Sequence, residues 1–345
     1  MERLFNMSSI ALQRPHTVFV WTIQPLAMLI CIFGIAANTT ILVLHYRWPK
    51  LHSKSLAIVA LAFVDQQICI ILLLWTVSAF MEIEWTRGDC LKGYSYGIVL
   101  LCANAKLTLS LGMERLLAIA ASKLFKLRLF KEASLLCTVI ATVITASIVL
   151  GLGYNGISNK ADEQITICTP PIALPYNSSI TWAIDLNLTN LLNIASYIAV
   201  YCCNRKQGRS IPSYHHRFIG QTVLIILINY SVTWLLASGV FAILLCLNTG
   251  PYIYAHIISS MVVPISFSSA INFLIYYKRS KEYRKCFQQL LQQGICGKAS
   301  PSGQYWNLDI FSKSAPTAPV TPKQSVFEIR LQTSQLLLKP DTKLL

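Results

Sequence analysis

Seven apolar stretches, each long enough to supply the roughly 20 helical residues that cross a bilayer, constrain this chain most. They run near Val18–Leu44, Ser55–Met81, Gly93–Ala121, Ala133–Gly153, Ser179–Cys203, Phe218–Leu247 and Tyr252–Tyr277. The first, second and sixth are strong; the fourth is short, the fifth contains Asp185, and the seventh is rich in Ser. The runs are continuous rather than alternating, which points to helices and against membrane strands. Composition agrees. With 54% hydrophobic residues, 12% charged and a mean hydropathy of +0.53, there is too little charge to cover a soluble globule of 345 residues. The expected fold class is an all-α membrane protein, a seven-transmembrane helix bundle followed by an amphipathic eighth helix.

The net charge of +15 would suggest nucleic acid in a soluble protein. Here its distribution reads as topology, and no nucleic-acid partner is expected. The connections after spans one, three and five carry Arg47, Lys50 and Lys54; Lys123, Lys126, Arg128 and Lys131; and Arg205, Lys206, Arg209 and Arg217. Lys278, Arg279, Lys281, Arg284 and Lys285 follow span seven. The other side offers fewer cations, offset by Glu2, Glu82, Glu84, Asp89, Asp162 and Glu163. The positive-inside rule then puts the N-terminus outside. Four regions are expected: an extracellular segment 1–17, a spanning domain 18–277, a basic amphipathic surface helix 278–293 against membrane lipid, and a Ser/Thr/Pro/Lys-rich disordered tail 294–345. The first span's apolar run is too long for a signal peptide's, so it is expected to act as its own insertion signal.

Sequons at Asn6 and Asn177 fall on the outer side and are candidate glycosylation sites; a third, at Asn187, lies inside span five and reads as fortuitous. Of eleven cysteines, most sit in spans as small apolar residues. Cys90 and Cys168 lie on the oxidising side and are expected to pair. Cys296, just past the surface helix, is either palmitoylated or a plain thiol.

Charge at membrane depth is costly and signals function by default. Asp65 stands eleven residues beyond Lys54, about 16 Å into the membrane, with Asn38 and Asn272 about 10 and 9 Å from the inner face. Either the three share one hydrated pocket, which the lone aspartate favours, or the asparagines make separate interhelical hydrogen bonds. Glu114 and Arg115 end span three at the inner mouth, 25 residues and about 37 Å from Cys90. Lys123 and Lys126 already anchor that end, so the acid–base pair reads as a switch.

These residues together resemble a rhodopsin-like G-protein-coupled receptor over roughly residues 18–293. "GIAAN" ending at Asn38 and "LAFVD" ending at Asp65 resemble motifs of spans one and two. Trp85, Cys90 and "ERL" at Glu114 resemble the loop tryptophan, the span-three cysteine and the D-R-Y motif. "YSVTW" at Tyr230–Trp234 resembles F-x-x-C-W, and "NFLIY" at Asn272–Tyr276 resembles N-P-x-x-Y. "INFLIYYKRSKEYRKCF" from Ile271 resembles the nematode serpentine chemoreceptors, particularly the SRSX class. The departures are Phe273 and Leu236 in place of the span-seven and span-six prolines, no mid-span proline in span five, and no tryptophan in span four. Kinks that aid helix movement must then be weaker or come from elsewhere.

The resemblance implies a chemosensory receptor in the plasma membrane that binds a small-molecule or modified peptide ligand and activates a heterotrimeric G protein. A neuropeptide receptor of the same fold is the alternative, and residence in a sensory cilium would favour chemoreception. The implied pocket residues are Gly97, Leu101, Asp185, Trp234, Ser238, Phe241 and Ser266. Gly97 stands where amine receptors carry an aspartate, and Ser266 where opsins carry the retinal lysine, which disfavours both ligands. Asp185 either receives a polar ligand group or pairs with Lys106. The switch would comprise Glu114, Arg115, Tyr197, Tyr201, Trp234, Asn272 and Tyr276. Asp65, Asn104, Ser269 and Asn272 could hold an allosteric Na⁺, the one cofactor implied, and tail hydroxyls could take phosphates from a receptor kinase for arrestin. A seven-span transporter or channel is the rival from another class, but no internal repeat supports it. Enzyme motifs such as a phosphate loop or H-E-x-x-H do not occur, so no catalytic residue is expected.

Overall fold

The computed structural model describes residues 17–48, 56–81, 83–120, 128–165, 167–210, 225–226, 228–247 and 251–296. Seven of its helices are long and apolar enough to cross a membrane. Five are α1 (Thr17–Arg47), α2 (Leu56–Phe80), α3 (Arg87–Ala120), α4 (Arg128–Ile157) and α5 (Tyr176–Ser210); the sixth span, Ile228–Leu247, ends in α6 (Leu236–Leu247), and the seventh, His256–Arg279, ends in α7 (Val262–Arg279). A π-helical turn, Ser231–Leu235, leads into α6, and a helical segment, Pro251–Ser260, leads into α7. An eighth helix, α8 (Lys281–Cys296), follows.

Helices α1, α3, α4 and α5 outrun their apolar stretches, because backbone hydrogen bonding continues into polar residues that the apolar run excludes. α5 continues to Ser210 rather than Cys203, and α3 begins at Arg87 rather than Gly93. Thr86 and Asp89 cap it reciprocally: the Asp89 N–H donates to Thr86 Oγ1 at 3.1 Å, and that hydroxyl donates to Asp89 Oδ2 at 2.8 Å. Span seven likewise continues to Arg279, so α8 starts three residues later than expected, after an extended Ser280.

The disulfide between Cys90 and Cys168 is present, closing 78 residues of chain. Beside it stands a short antiparallel pair, β1 (Trp85–Thr86) with β2 (Gln164–Ile165), which the sequence reading did not foresee. Arg87 seals this pair, its N–H donating to the Glu163 carbonyl at 2.8 Å and its Nε lying 3.0 Å from Glu163 Oε2.

Close helix approach depends on small residues, as expected where lipid removes the hydrophobic drive between helices. A Cβ on Gly112 of α3 would sit 2.5 Å from Ser196 Oγ of α5, and one on Gly34 of α1 would sit 2.6 Å from Cys69 Sγ of α2. At the Arg115 end, Ile41, Leu44, Ala57, Ile58 and Leu111 form a cluster that Tyr283 of α8 joins, with Phe273 and Phe287 packed against it. Phe273, standing where the resembling family has proline, meets Phe287 edge-on at 5.2 Å and so fastens α7 to α8.

Candidate functional site

A cavity of about 110 Å³ opens toward the disulfide end of the bundle. Ile68, Ile71, Leu72 and Trp75 of α2 form one wall, and Tyr94, Gly97 and Leu101 of α3 another. Trp182 and Leu186 of α5, Phe241, Ser238 and Trp234 of span six, and Ile258, Val262 and Ile265 of span seven complete it. Thr169, Pro170 and Pro171 cover it, held in place because Cys168, immediately before them, is bonded to α3. Trp182 and Phe241 meet edge to face with centroids 5.6 Å apart, tying α5 to α6 at the wall.

Five residues of the expected ligand set, Gly97, Leu101, Trp234, Ser238 and Phe241, line this one space. Two do not. Ser266 is fully buried, donating to the Val262 carbonyl at 2.6 Å and sharing a hydrogen bond with Cys31 Sγ at 3.3 Å. Asp185 faces away from the cavity residues, its Oδ2 2.7 Å from Lys106 Nζ and its Oδ1 accepting from Thr145 at 3.3 Å. Of the two roles left open for Asp185, the structure shows the ion pair. The reason is helical: Trp182 and Leu186, one turn apart, share the cavity face, and Asp185 lies about 100° around from Leu186.

A second, smaller cavity of about 30 Å³ lies deeper and is more polar than the first, with Asp65, Asn104, Thr108, Tyr197, Asn229, Tyr230, Asn272 and Tyr276 in its lining. Asp65 is buried, and both of its oxygens accept amide N–H groups: Oδ1 from Asn104 at 2.6 Å, Oδ2 from Asn272 at 2.7 Å. Ser269 lies beside the same carboxylate, its hydroxyl without a hydrogen bond of good geometry. Asn38 donates to the carbonyls of Gly34 at 3.0 Å and Ser269 at 2.9 Å, joining α1 to α7 next to this site. An anion stranded in lipid thus acquires donors from α3 and α7, which offsets part of its desolvation.

Trp234 belongs to both cavities. It sits inside the π-helical turn, where the missing span-six proline would have been expected to supply the bend. A π turn widens the backbone and leaves carbonyls outside the regular ladder. Asn190 of α5 reaches one carbonyl of the turn, donating to Trp234 O at 3.5 Å, and Asn187 donates to the Ser238 carbonyl just beyond it at 3.1 Å. Asn190 also donates to Ser238 Oγ at 2.8 Å, and Tyr230 donates to Asn190 Oδ1 at 2.5 Å. Asn193 extends the row, donating to the Tyr230 hydroxyl at 2.9 Å and to the Ala105 carbonyl of α3 at 3.0 Å. Asn187, Asn190 and Asn193 recur every three residues on one helix face. That period was available in "NLTNLLN", and reading Asn187 as a stray sequon concealed it.

At the far end Glu114 is buried and Arg115 exposed. The Arg115 guanidinium lies within electrostatic reach of Tyr197, Tyr276 and Tyr283. Tyr197 is buried, while Tyr201, a turn further along α5, is exposed. Tyr276 stacks on Tyr283 at 5.5 Å, and Tyr283 hydrogen-bonds His45 Nε2 of α1. Burial pushes the Tyr283 phenol well above its ordinary value, so it stays protonated there.

Asn177 is exposed at the start of α5. Asn6, the tail beyond Cys296 and most of the basic connections fall outside the described residues, as does the side chain of Cys296. Among the described residues no group of His, Cys, Asp and Glu could hold a metal ion by itself. The family described as serpentine type 7TM GPCR chemoreceptor Srsx matches residues 31–291. No curated protein matches the chain.

Proposed function

The chain belongs to the Srsx family of serpentine seven-transmembrane G-protein-coupled chemoreceptors, and from that premise we propose that it is a chemosensory receptor whose ligand enters the apolar cavity and whose response is carried to the Arg115 end. The single observation behind this reading is that Trp234 lines the apolar cavity on one side and the polar cavity on the other. A ligand touching Trp234 bears directly on the π turn and on the Asn190–Tyr230 network below it.

Activation is then a shift between two packings, and the ligand can bias it only through contacts that differ between them. Moving Trp234 disturbs carbonyls held by Asn187 and Asn190, which frees span six from α5. Tyr230, released from Asn190, would let Tyr197 and Tyr276 rearrange around Arg115, opening the basic end to a heterotrimeric G protein. Glu114 would restrain the resting arrangement. The disulfide, the Asn177 sequon and the basic connections support an orientation with the Thr169–Pro171 cover outside, at the plasma membrane. Residence in a sensory cilium fits the same reading. So do a palmitoyl group on Cys296, α8 lying on the lipid surface, and tail phosphates added by a receptor kinase for arrestin.

The Asp65 site also fits a sodium ion, a hard cation that takes oxygen ligands. Asp65 supplies the one carboxylate, Ser269 an uncommitted hydroxyl, and the carboxamides of Asn104 and Asn272 an oxygen each if turned. Such an ion would supply positive charge that stabilises the resting packing. The chain's own residues would hold the same helices together through the two amide–carboxylate bonds.

Cells expressing the receptor with a heterotrimeric G protein, challenged with volatile and water-soluble panels and monitored for nucleotide exchange, test the reading. Ligand-dependent exchange that disappears in Arg115→Ala, while ligand binding persists, is the expected result. Ligand-gated ion flux without exchange would replace the receptor with a channel.

A further inference from the structure

We propose that the apolar cavity takes a small hydrocarbon ligand, one with no hydrogen-bonding group, and discriminates by polarity against alcohols, amines and acids of the same shape. The inference rests on the cavity being the ligand site, and it adds the chemical class that the site selects.

None of the residues lining the cavity bears a charge. Lys106 and Asp185 are closed on each other at 2.7 Å, and neither belongs to the lining. An ammonium or carboxylate ion would therefore lose its hydration with no counter-charge to meet, a cost that excludes it.

The uncharged polar groups of the lining offer a ligand almost nothing, for one of two reasons. Some are already engaged: Ser238 accepts from Asn190 at 2.8 Å and donates to Asn187 at 3.2 Å, and the Tyr94 phenol hydrogen-bonds Ser78. The backbone of the cover is engaged as well. The Thr169 carbonyl accepts the Ile172 and Ala173 N–H groups, both at 3.0 Å, the Pro170 carbonyl accepts that of Leu174 at 3.1 Å, and the Pro171 carbonyl accepts the Tyr254 hydroxyl at 3.2 Å. Others are sealed inside the walls: Trp75 Nε1, Thr169 Oγ1 and Trp182 Nε1 have no surface toward the cavity, and the last is directed at the Cys102 thiol outside it. The Trp234 ring N–H, between the two cavities, is the one side-chain donor of the lining in neither set. The inner surface is accordingly almost all apolar. A hydroxyl carried into it gives up its bonds to water and regains none, whereas a methyl in the same place has none to lose. Five lining side chains, Trp75, Tyr94, Trp182, Trp234 and Phe241, are aromatic and suit a flat ring. For size, a dry cavity of about 150 Å³ holds benzene, so about 110 Å³ suits a molecule of roughly six or seven non-hydrogen atoms.

The full-length receptor in lipid nanodiscs, titrated near pH 7 with toluene, phenol, aniline, benzylamine and benzoate, tests this. Toluene, phenol and aniline share one shape and are uncharged, differing only in methyl, hydroxyl or amine. Binding is read against the partition of each compound into protein-free nanodiscs. Beyond that partition, toluene should be preferred to phenol and to aniline by about tenfold or more, the effect of one hydrogen-bonding group left unpaired. The two ions should not bind. Gly97→Leu, which fills the cavity, should abolish toluene binding. Gly97→Ala, whose Cβ would meet Ile71 Cγ2 at an ordinary 3.4 Å, should weaken it and serves if the larger variant fails to fold. Phenol or aniline bound as well as toluene, binding of either ion, toluene binding unmoved by the Gly97 variants, or no toluene binding would each overturn the proposal. Parity that Trp234→Phe converts into a toluene preference would overturn it too, by assigning the Trp234 N–H to a polar ligand. Failure here is separable from failure of the receptor reading. Toluene binding without nucleotide exchange removes the signalling role and leaves the cavity chemistry. Exchange driven by a polar or ionic ligand, with toluene unbound, does the opposite.

Discussion

Tyr230 of span six donates its hydroxyl proton to Asn190 Oδ1 of α5 at 2.5 Å, one residue before the π turn that contains Trp234. Both residues are buried, and the same hydroxyl accepts from Asn193. This contact is the clasp between the two helices whose separation the receptor reading requires. Tyr230→Phe removes the donor and leaves Asn190 and Asn193 each short of a partner. Interhelical hydrogen bonds in membranes contribute about 0.6–1.7 kcal/mol. The variant should therefore melt a few degrees below the parent and show raised basal nucleotide exchange. Lower stability with basal exchange equal to the parent's would make the clasp structural only.

Lys106 and Asp185 offer a different test, because their pair lies off the cavity. Removing one partner strands a charge in lipid, which costs about 3–5 kcal/mol for buried pairs. With side-chain exposures of 10% and 23% this pair is part-buried, so the low end of that range applies. Lys106→Met or Asp185→Leu alone should reduce the folded fraction at the cell surface sharply, whereas the double variant should recover most of it. For the receptor that does reach the surface in Asp185→Asn, ligand potency should match the parent's. A large potency loss there would return Asp185 to the binding site.

The sequence revealed those parts of the site where a residue type is out of place in lipid. Asp65 is such a residue, and its amide partners Asn104 and Asn272 follow from helical depth and the family motifs. Cys90 and Cys168 were legible because they alone lay on the oxidising side. The cavity wall was less so. An apolar side chain in a spanning helix looks the same in sequence whether it faces lipid, as Leu29 does at 67% exposure, or the bundle interior, as Ala27 does at 0%. Trp75 and Trp182 therefore carried no signal, and the usual polar-outside pattern that orients a soluble helix was missing. The π turn was hidden for another reason: neither glycine nor proline marks it, and the amide that reaches its Trp234 carbonyl comes from another helix.

Losing the disulfide should act on stability and on ligand response together. By the chain-entropy argument, a link across 78 residues contributes roughly 4 kcal/mol. It also holds Thr169, Pro170 and Pro171 over the cavity. Cys168→Ser should lower the melting temperature and weaken ligand binding, and brief treatment of intact cells with an impermeant reductant should weaken binding in the parent only. Resistance of the parent to that reductant, with the variant impaired, would place the bond away from the outer face.

Leu236 provides the test of where span six obtains its bend. Proline inside a regular helix costs about 3 kcal/mol, since it deletes an N–H bond and crowds the carbonyl four residues back. At Leu236 the N–H instead reaches the Thr233 carbonyl at the end of the π turn, so the regular ladder is already interrupted there. Leu236→Pro should consequently cost less, about 1 kcal/mol, and leave ligand-dependent exchange intact. Val240→Pro, one turn further along the same helix and clear of the π turn, should show the full penalty and collapse surface expression. Equal damage from both substitutions would mean that the π turn gives span six no tolerance for a proline, and that its bend has another origin.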